Sequence, residues 1–204
     1  MDRSILKLIL LFITFVLLGF DSPKLSPLNS DDVIVAFGDS LTKGVGVNIK
    51  NSYPSVLAKL TGLRVINSGI SGETTKGGLK RFEKVIDEYN PSLIILLEGG
   101  NDILRNISSG QIKRNLEEMI SIAQASNIQI VLIGVPEKRL FSDSAPFYNS
   151  LAKKYNLVFN DELISDLMRN PSMKSDAIHF NKKGYALMAK EIYTLLQDSG
   201  ALDK

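Results

Sequence analysis

The chain has no cysteine and no tryptophan among its 204 residues, and a single histidine, His179. Without cysteine there is no disulfide, no thiolate nucleophile, no cysteine-ligated metal and no lipidated N-terminal cysteine. One histidine excludes zinc sites built from several imidazoles, although carboxylate-only sites stay open. Any chemistry that needs an imidazole must therefore use His179. An excess of one charge is also missing: 24 Lys+Arg against 22 Asp+Glu leave +2, too little to recruit nucleic acid or coat an anionic membrane. What is present, 44% hydrophobic and 23% charged residues, is the composition of a folded domain and not of a disordered chain.

A long hydrophobic run is lacking too. The uncharged stretch 8–20 holds about 13 residues, against the roughly 20 that span a bilayer, and Asp2, Arg3 and Lys7 precede it, as in a secretory signal. Extended back through Lys7 to Ile5 it approaches the lower limit for a span if the lysine snorkels. No tidy small-x-small cleavage site stands near residues 19–22. Residues 1–22 are accordingly read as a signal peptide or an N-terminal membrane anchor, 23–31 (with Pro23 and Pro27) as a linker, and 32–204 as one domain. The expected location is exported, periplasmic or secreted, or held at the inner membrane by an uncleaved first segment.

From residue 32 onward strand and helix patterns alternate. Continuous apolar runs, as in strands buried on both faces, occupy 33–37 and 93–97, with further strands at 64–67, 129–133 and 157–159. Between them, 53–60, 76–89, 111–125, 146–154 and 183–196 carry apolar residues at helical spacing. Such alternation with short links predicts an α/β fold, a three-layer α/β/α sandwich around a parallel sheet, and five strands suggest the flavodoxin-like order 2-1-3-4-5, which periodicity alone does not fix. In sheets of this kind the site lies beyond the carboxyl ends of the strands, near the switch point between strands 1 and 3.

Four segments meet that expectation. The first strand empties into Gly38-Asp39-Ser40-Leu41, which can present the Ser40 hydroxyl at the sheet edge. The second leads to Gly69-Ile70-Ser71-Gly72, where Gly72 can bring a backbone N–H close to a ligand. The third ends in Gly99-Gly100-Asn101-Asp102 and sets an amide beside the same crevice. Asp176-Ala177-Ile178-His179, before the last helix, brings the only imidazole with a carboxylate three residues ahead of it. Any one of these is ordinary turn or capping chemistry. All four at one side of one sheet are not. Nucleotide loops fail: Gly44-Val45-Gly46 lacks the third glycine of a dinucleotide loop, and no Gly-Lys-Ser/Thr is present. A magnesium site on Asp39, Asp102 and Asp176 would leave Ser40 and Asn101 without a role.

These segments, IVAFGDSLTKGVG at 34–46, NSGISGETTKGG at 67–78, EGGNDIL at 98–104 and SDAIHFN at 175–181, resemble the four blocks of the SGNH, or GDSL, hydrolase family. Within it the resemblance is to the bacterial TesA-type branch of acyl-CoA thioesterases I, lysophospholipases L1 and arylesterases. It covers essentially the whole chain after the N-terminal segment. The resemblance implies the flavodoxin-like sandwich and a serine hydrolase with no cofactor and no metal. It puts Ser40 on the nucleophile, Gly72 and Asn101 on the oxyanion-hole pair, and Asp176 and His179 on the rest of a Ser-Asp-His triad. Phe180 departs from it, standing where many relatives have proline, and 135–148 matches less clearly.

A serine hydroxyl needs a base to take its proton as it attacks, and His179 is the side chain suited to accept and return it. Asp176 on the other ring nitrogen would fix the tautomer. The N–H groups of Ser40 and Gly72 and the Asn101 amide would receive the alkoxide. The expected partner is a small-molecule acyl ester or thioester, taken by a monomer with no nucleic acid and with membrane attachment only through the first segment. Ile70, Leu104, Ile107 and Phe141 are candidates to line an acyl groove. The alternatives are a carbohydrate O-acetyl esterase, with a short polar pocket, and a flavodoxin-like module that binds a phosphate-bearing ligand.

Overall fold

The structure is a computed structural model and describes residues 23–137 and 143–203. Five parallel strands, β1 (Val33–Gly38), β2 (Arg64–Gly69), β3 (Leu93–Leu97), β4 (Gln129–Ile133) and β5 (Val158–Asn160), lie in the order β2-β1-β3-β4-β5. This is the order expected from the alternation. The register sets Ile34 of β1 between Val65 of β2 and Leu93 of β3, so the central strands are covered on both edges and both faces. Their sequences show it: every residue of β3 is buried, which a polar alternation would not allow. Each buried Leu or Ile contributes about 1.5–3 kcal/mol of hydrophobic stabilisation.

Helices α1 (Ser40–Lys43), α2 (Tyr53–Thr61), α3 (Thr75–Tyr89), α4 (Gly100–Leu104), α5 (Ser109–Ala125), α6 (Pro146–Tyr155), α7 (Leu163–Arg169) and α8 (Lys182–Asp198) complete the described residues, with single 3-10 turns at Ile49–Asn51 and Pro171–Met173. Helix α2 packs on α8, while α3 packs on α5 and α5 on α6, giving the outer layers of the sandwich. The helical stripes read in the sequence are the buried ones: Ile112, Leu116, Met119, Ile120 and Ala123 on α5, and Tyr185, Met188, Ala189, Ile192 and Leu196 on α8. Phe82 of α3 meets Phe37 of β1 edge to face, ring centroids 4.9 Å apart.

The stretch expected as a linker lies against the domain. Leu25 N–H donates to the Ser199 carbonyl at 2.8 Å and Leu28 N–H to that of Ala201 at 2.9 Å, beyond the end of α8. The expected signal peptide or anchor, 1–22, falls outside the described residues, as does Phe141. No helix among the described residues is long and apolar enough to cross a membrane.

Candidate active site

The four segments singled out in the sequence converge at the carboxyl edge of the sheet. β1 ends at Gly38, and Asp39 caps α1 by accepting the Leu41 N–H at 3.0 Å, which leaves Ser40 as the first helical residue. Neither the Ser40 N–H nor the Gly72 N–H has an acceptor among the described residues. Gly72 itself turns with φ +76°. β3 runs out through Glu98 and Gly99 into α4, whose second residue is Asn101. On the far side, the segment before α8 folds back on itself, with Ser175 N–H donating to the His179 carbonyl at 2.9 Å and Phe180 bridged to Lys174.

That fold-back aims His179 at β1. Its Nε2 lies 3.0 Å from Ser40 Oγ, across 139 residues of sequence, and its Nδ1 lies 2.8 Å from Asp176 Oδ2. The other carboxylate oxygen of Asp176 accepts the N–H groups of Ile178 and His179, both at 2.8 Å. Those two backbone bonds, His179 first, and the side-chain bond to His179 hold the Asp176 carboxyl well below the usual carboxylate range. Phe180 is fully buried and stacks edge-on against Tyr185 at 5.6 Å, so an aromatic anchor fixes the backbone behind the imidazole.

Asn101 donates Nδ2 to Asp39 Oδ2 at 3.1 Å. Asp39 is buried, and desolvation pushes its carboxyl up to about 6 against the pull of the Leu41 N–H and of His179. The next residue of the block, Asp102, is fully buried and accepts the N–H and the hydroxyl of Thr75 at 2.8 and 2.7 Å; Asn115 donates to the same hydroxyl at 2.9 Å. The start of α3, directly after the Gly72 loop, is thereby tied to α4, which carries Asn101. Gly99 is required by both space and conformation: its φ is +112°, and a Cβ there would fall 2.4 Å from the Tyr148 hydroxyl, which donates to the Glu98 carbonyl at 2.7 Å. Beneath lies Glu98, fully buried, with Oε1 lacking a hydrogen-bond partner. Burial first, then the neighbouring Asp39 and Glu73, raise its carboxyl well above the usual range.

Ser40, Gly72, Asn101 and His179 border one cavity of about 330 Å³. Its wall is mostly apolar, from Leu41, Ile103, Leu104, Val135, Met168 and Ile178. Of the residues expected there, Leu104 is present, Ile107 lines a neighbouring cleft, and Ile70 does not line the cavity but stands 46% exposed. Ile103, Val135 and Met168 had no local signal in the sequence. No group of three or more His, Asp or Glu among the described residues could hold a metal ion, and Asp39, Asp102 and Asp176 each face protein donors.

Comparison with known proteins shows the family and the fold. The GDSL-like lipase/acylhydrolase family matches residues 36–187. The chain is 30% identical over 161 residues to an arylesterase of Vibrio mimicus, covering 74% of this chain and 80% of that protein. It is 32% identical over 107 residues to esterase TesA of Pseudomonas aeruginosa; the match takes in 50% of this chain and spans about half, 53%, of that relative. Among solved structures, the psychrotrophic esterase EstA from Pseudoalteromonas sp. shares the fold with a TM-score of 0.74 at 23% identity, covering 82% of this chain and 98% of that one.

Proposed function

The chain belongs to the GDSL-like lipase/acylhydrolase family and is an ester-hydrolysing serine hydrolase, and from that premise we propose that Ser40, His179 and Asp176 are its triad and Gly72 and Asn101 its oxyanion-hole residues. One observation carries the assignment: the unbroken chain Asp176–His179–Ser40, with contacts of 2.8 and 3.0 Å, ends on a hydroxyl that opens into an apolar cavity. Ser40 Oγ attacks the substrate carbonyl carbon while His179 Nε2 takes its proton. Asp176 holds the ring through Nδ1 and favours the imidazolium that forms. The carbonyl oxygen becomes an alkoxide and accepts from the N–H groups of Ser40 and Gly72 and from Asn101 Nδ2. The intermediate collapses as His179 returns the proton to the leaving oxygen or sulfur, leaving an acyl-serine. Water, deprotonated by His179, then releases the acid and restores Ser40.

The substrate is a small acyl ester or thioester whose apolar chain enters the cavity. The mostly apolar wall supports this reading over a polar acetyl pocket. Each methylene buried there is worth about 0.8 kcal/mol, or up to about fourfold in kcat/KM until the cavity is full. The enzyme acts as a monomer and is exported, and the apolar run at 8–20 with its preceding charges supports the export. A panel of acyl esters and acyl-CoAs graded by chain length tests the proposal. A graded rise supports the cavity assignment, a flat response overturns it, and a sharp acetyl preference favours an O-acetyl esterase. Ser40→Ala should lose turnover and labelling by a fluorophosphonate probe; persistent labelling would move the nucleophile to another serine.

A further inference from the structure

The mechanism above leaves one buried carboxylate of the site without a task. Asp39, 6% exposed, divides its oxygens between two donors: Oδ1 accepts the Leu41 N–H at 3.0 Å and Oδ2 accepts Asn101 Nδ2 at 3.1 Å. Gly100 leaves room for this approach, since a Cβ there would come within 3.1 Å of Asp39 Oδ2. An ionised carboxylate can only accept, so the group Asn101 turns toward it must be its NH2 and not its carbonyl. The amide nitrogen carries two hydrogens. Asp39 engages one, and the other remains for the cavity that Asn101 borders.

We infer that Asp39 is the positioning residue of the oxyanion site: through Oδ2 it fixes the Asn101 amide so that an N–H, and not the C=O, meets the developing alkoxide. The inference rests on the proposed role of Asn101 as an oxyanion donor. A carboxylate does this where an amide cannot. With asparagine at position 39, Oδ1 can still cap Leu41, but Nδ2 then faces Nδ2 of Asn101, donor against donor. Asn101 relieves the clash by turning its amide over, which brings a carbonyl lone pair to the oxyanion position. The site then loses a donor and gains a repulsion. Asp39 also stands near enough to His179 for the imidazole to draw its carboxyl down, and that interaction does not pass through Asn101. The two routes separate in a double-mutant cycle.

The experiment measures kcat and KM on a p-nitrophenyl ester at alkaline pH for Asp39→Asn, Asn101→Ala and the double variant, with thermal melts of each. Asp39→Asn should lower kcat about 10²–10³-fold, as loss of an oxyanion donor does, with KM little changed. The double variant should be no slower than Asn101→Ala alone, because Asp39 acts through that amide. Asp39→Ser keeps a capping oxygen but cannot reach Asn101; it should lose less than Asp39→Asn, and it supplies the same comparison if Asp39→Asn does not fold. Losses that multiply in the double variant, or wild-type kcat in Asp39→Asn beside a slow Asn101→Ala, overturn the inference. Wild-type kcat in Asn101→Ala would instead overturn the role of Asn101 beneath it.

Discussion

Replacing Glu98 by glutamine should make the protein more stable, and more so the higher the pH. The side chain is fully buried at the end of β3, one oxygen has no hydrogen-bond partner, and burial with Asp39 and Glu73 nearby raises its carboxyl well above the ordinary 4.5. A raised native pKa means that the folded state holds a proton which the unfolded chain releases above about 4.5. Folding then takes up that proton, and its contribution to stability falls with rising pH, by up to about 1.4 kcal/mol per pH unit, until the native group itself ionises. Glutamine has the same shape and nothing to titrate, so the penalty disappears.

The window is chosen by Asp39, whose own carboxyl titrates near 6 in the native protein. Between about pH 7 and pH 9 Asp39 is largely ionised in both states, and the difference between wild type and Glu98→Gln isolates Glu98. Urea unfolding across that interval should show the variant gaining up to about 2.7 kcal/mol relative to wild type, or about 5–10 °C in Tm for a domain of this size. At pH 4.5, where glutamate is half protonated even unfolded, the two should nearly coincide. Parallel stability curves across the whole range would refute the reasoning, because they would mean that Glu98 is ionised in the native state and compensated by its surroundings.

Three further outcomes follow from the same packing. Asp102→Ala leaves the Thr75 N–H and hydroxyl without their buried acceptor; it should cost about 2–4 kcal/mol by urea unfolding, while Asp102→Asn, which keeps one carbonyl, should cost less. Gly99→Ala places a methyl against the Tyr148 hydroxyl at a positive φ, and should lower Tm more than Tyr148→Phe, which loses only the 2.7 Å bond to the Glu98 carbonyl, about 1–3 kcal/mol. Met168→Trp narrows the cavity wall, so kcat/KM should fall for long acyl esters and hold for acetyl esters; equal losses on both would remove Met168 from the acyl path.

The central strands were legible because each carries a short apolar run stopped by glycine or a polar turn, and the count of five strands alternating with helices suggested the order that periodicity alone does not fix. β3 and β4 agree with expectation residue for residue. The helices α1, α4 and α7 were not anticipated. They have four, five and seven residues, too short to show an amphipathic period, and the glycine, serine and aspartate that open them read equally as turns. Site residues could be chosen from the sequence where chemistry is scarce: one histidine in the chain leaves one base. The cavity wall could not, since an apolar side chain near a motif gives no indication of its direction. Ile70 follows β2 closely yet faces solvent, while Met168 comes from α7, far from every motif.

The polar contacts around the site explain why those blocks carry the residues they do beyond the reacting groups. Asp39 of the first block holds Asn101 of the third, and Asp102 of the third holds Thr75 of the second. Arg81 of α3 pairs with Glu73 at 2.5 Å and donates to the Ser68 carbonyl at 2.9 Å and to the Gly38 carbonyl at 3.4 Å, joining the ends of β1 and β2 beneath the nucleophile turn. Tyr185 of α8, which backs the histidine through Phe180, donates to the Val45 carbonyl at 2.9 Å and so ties the helix after the fourth block to the first. Donors for an alkoxide are effective only if they are already in place when the charge develops, since any reorganisation would be added to the barrier. Loops alone do not supply that rigidity. Here the loops are fixed by a buried carboxylate, a half-buried guanidinium and a buried phenol from other elements, and the cost of burying so many acids around one arginine is carried by Glu98 and Asp39, the two groups whose carboxyls are pushed upward.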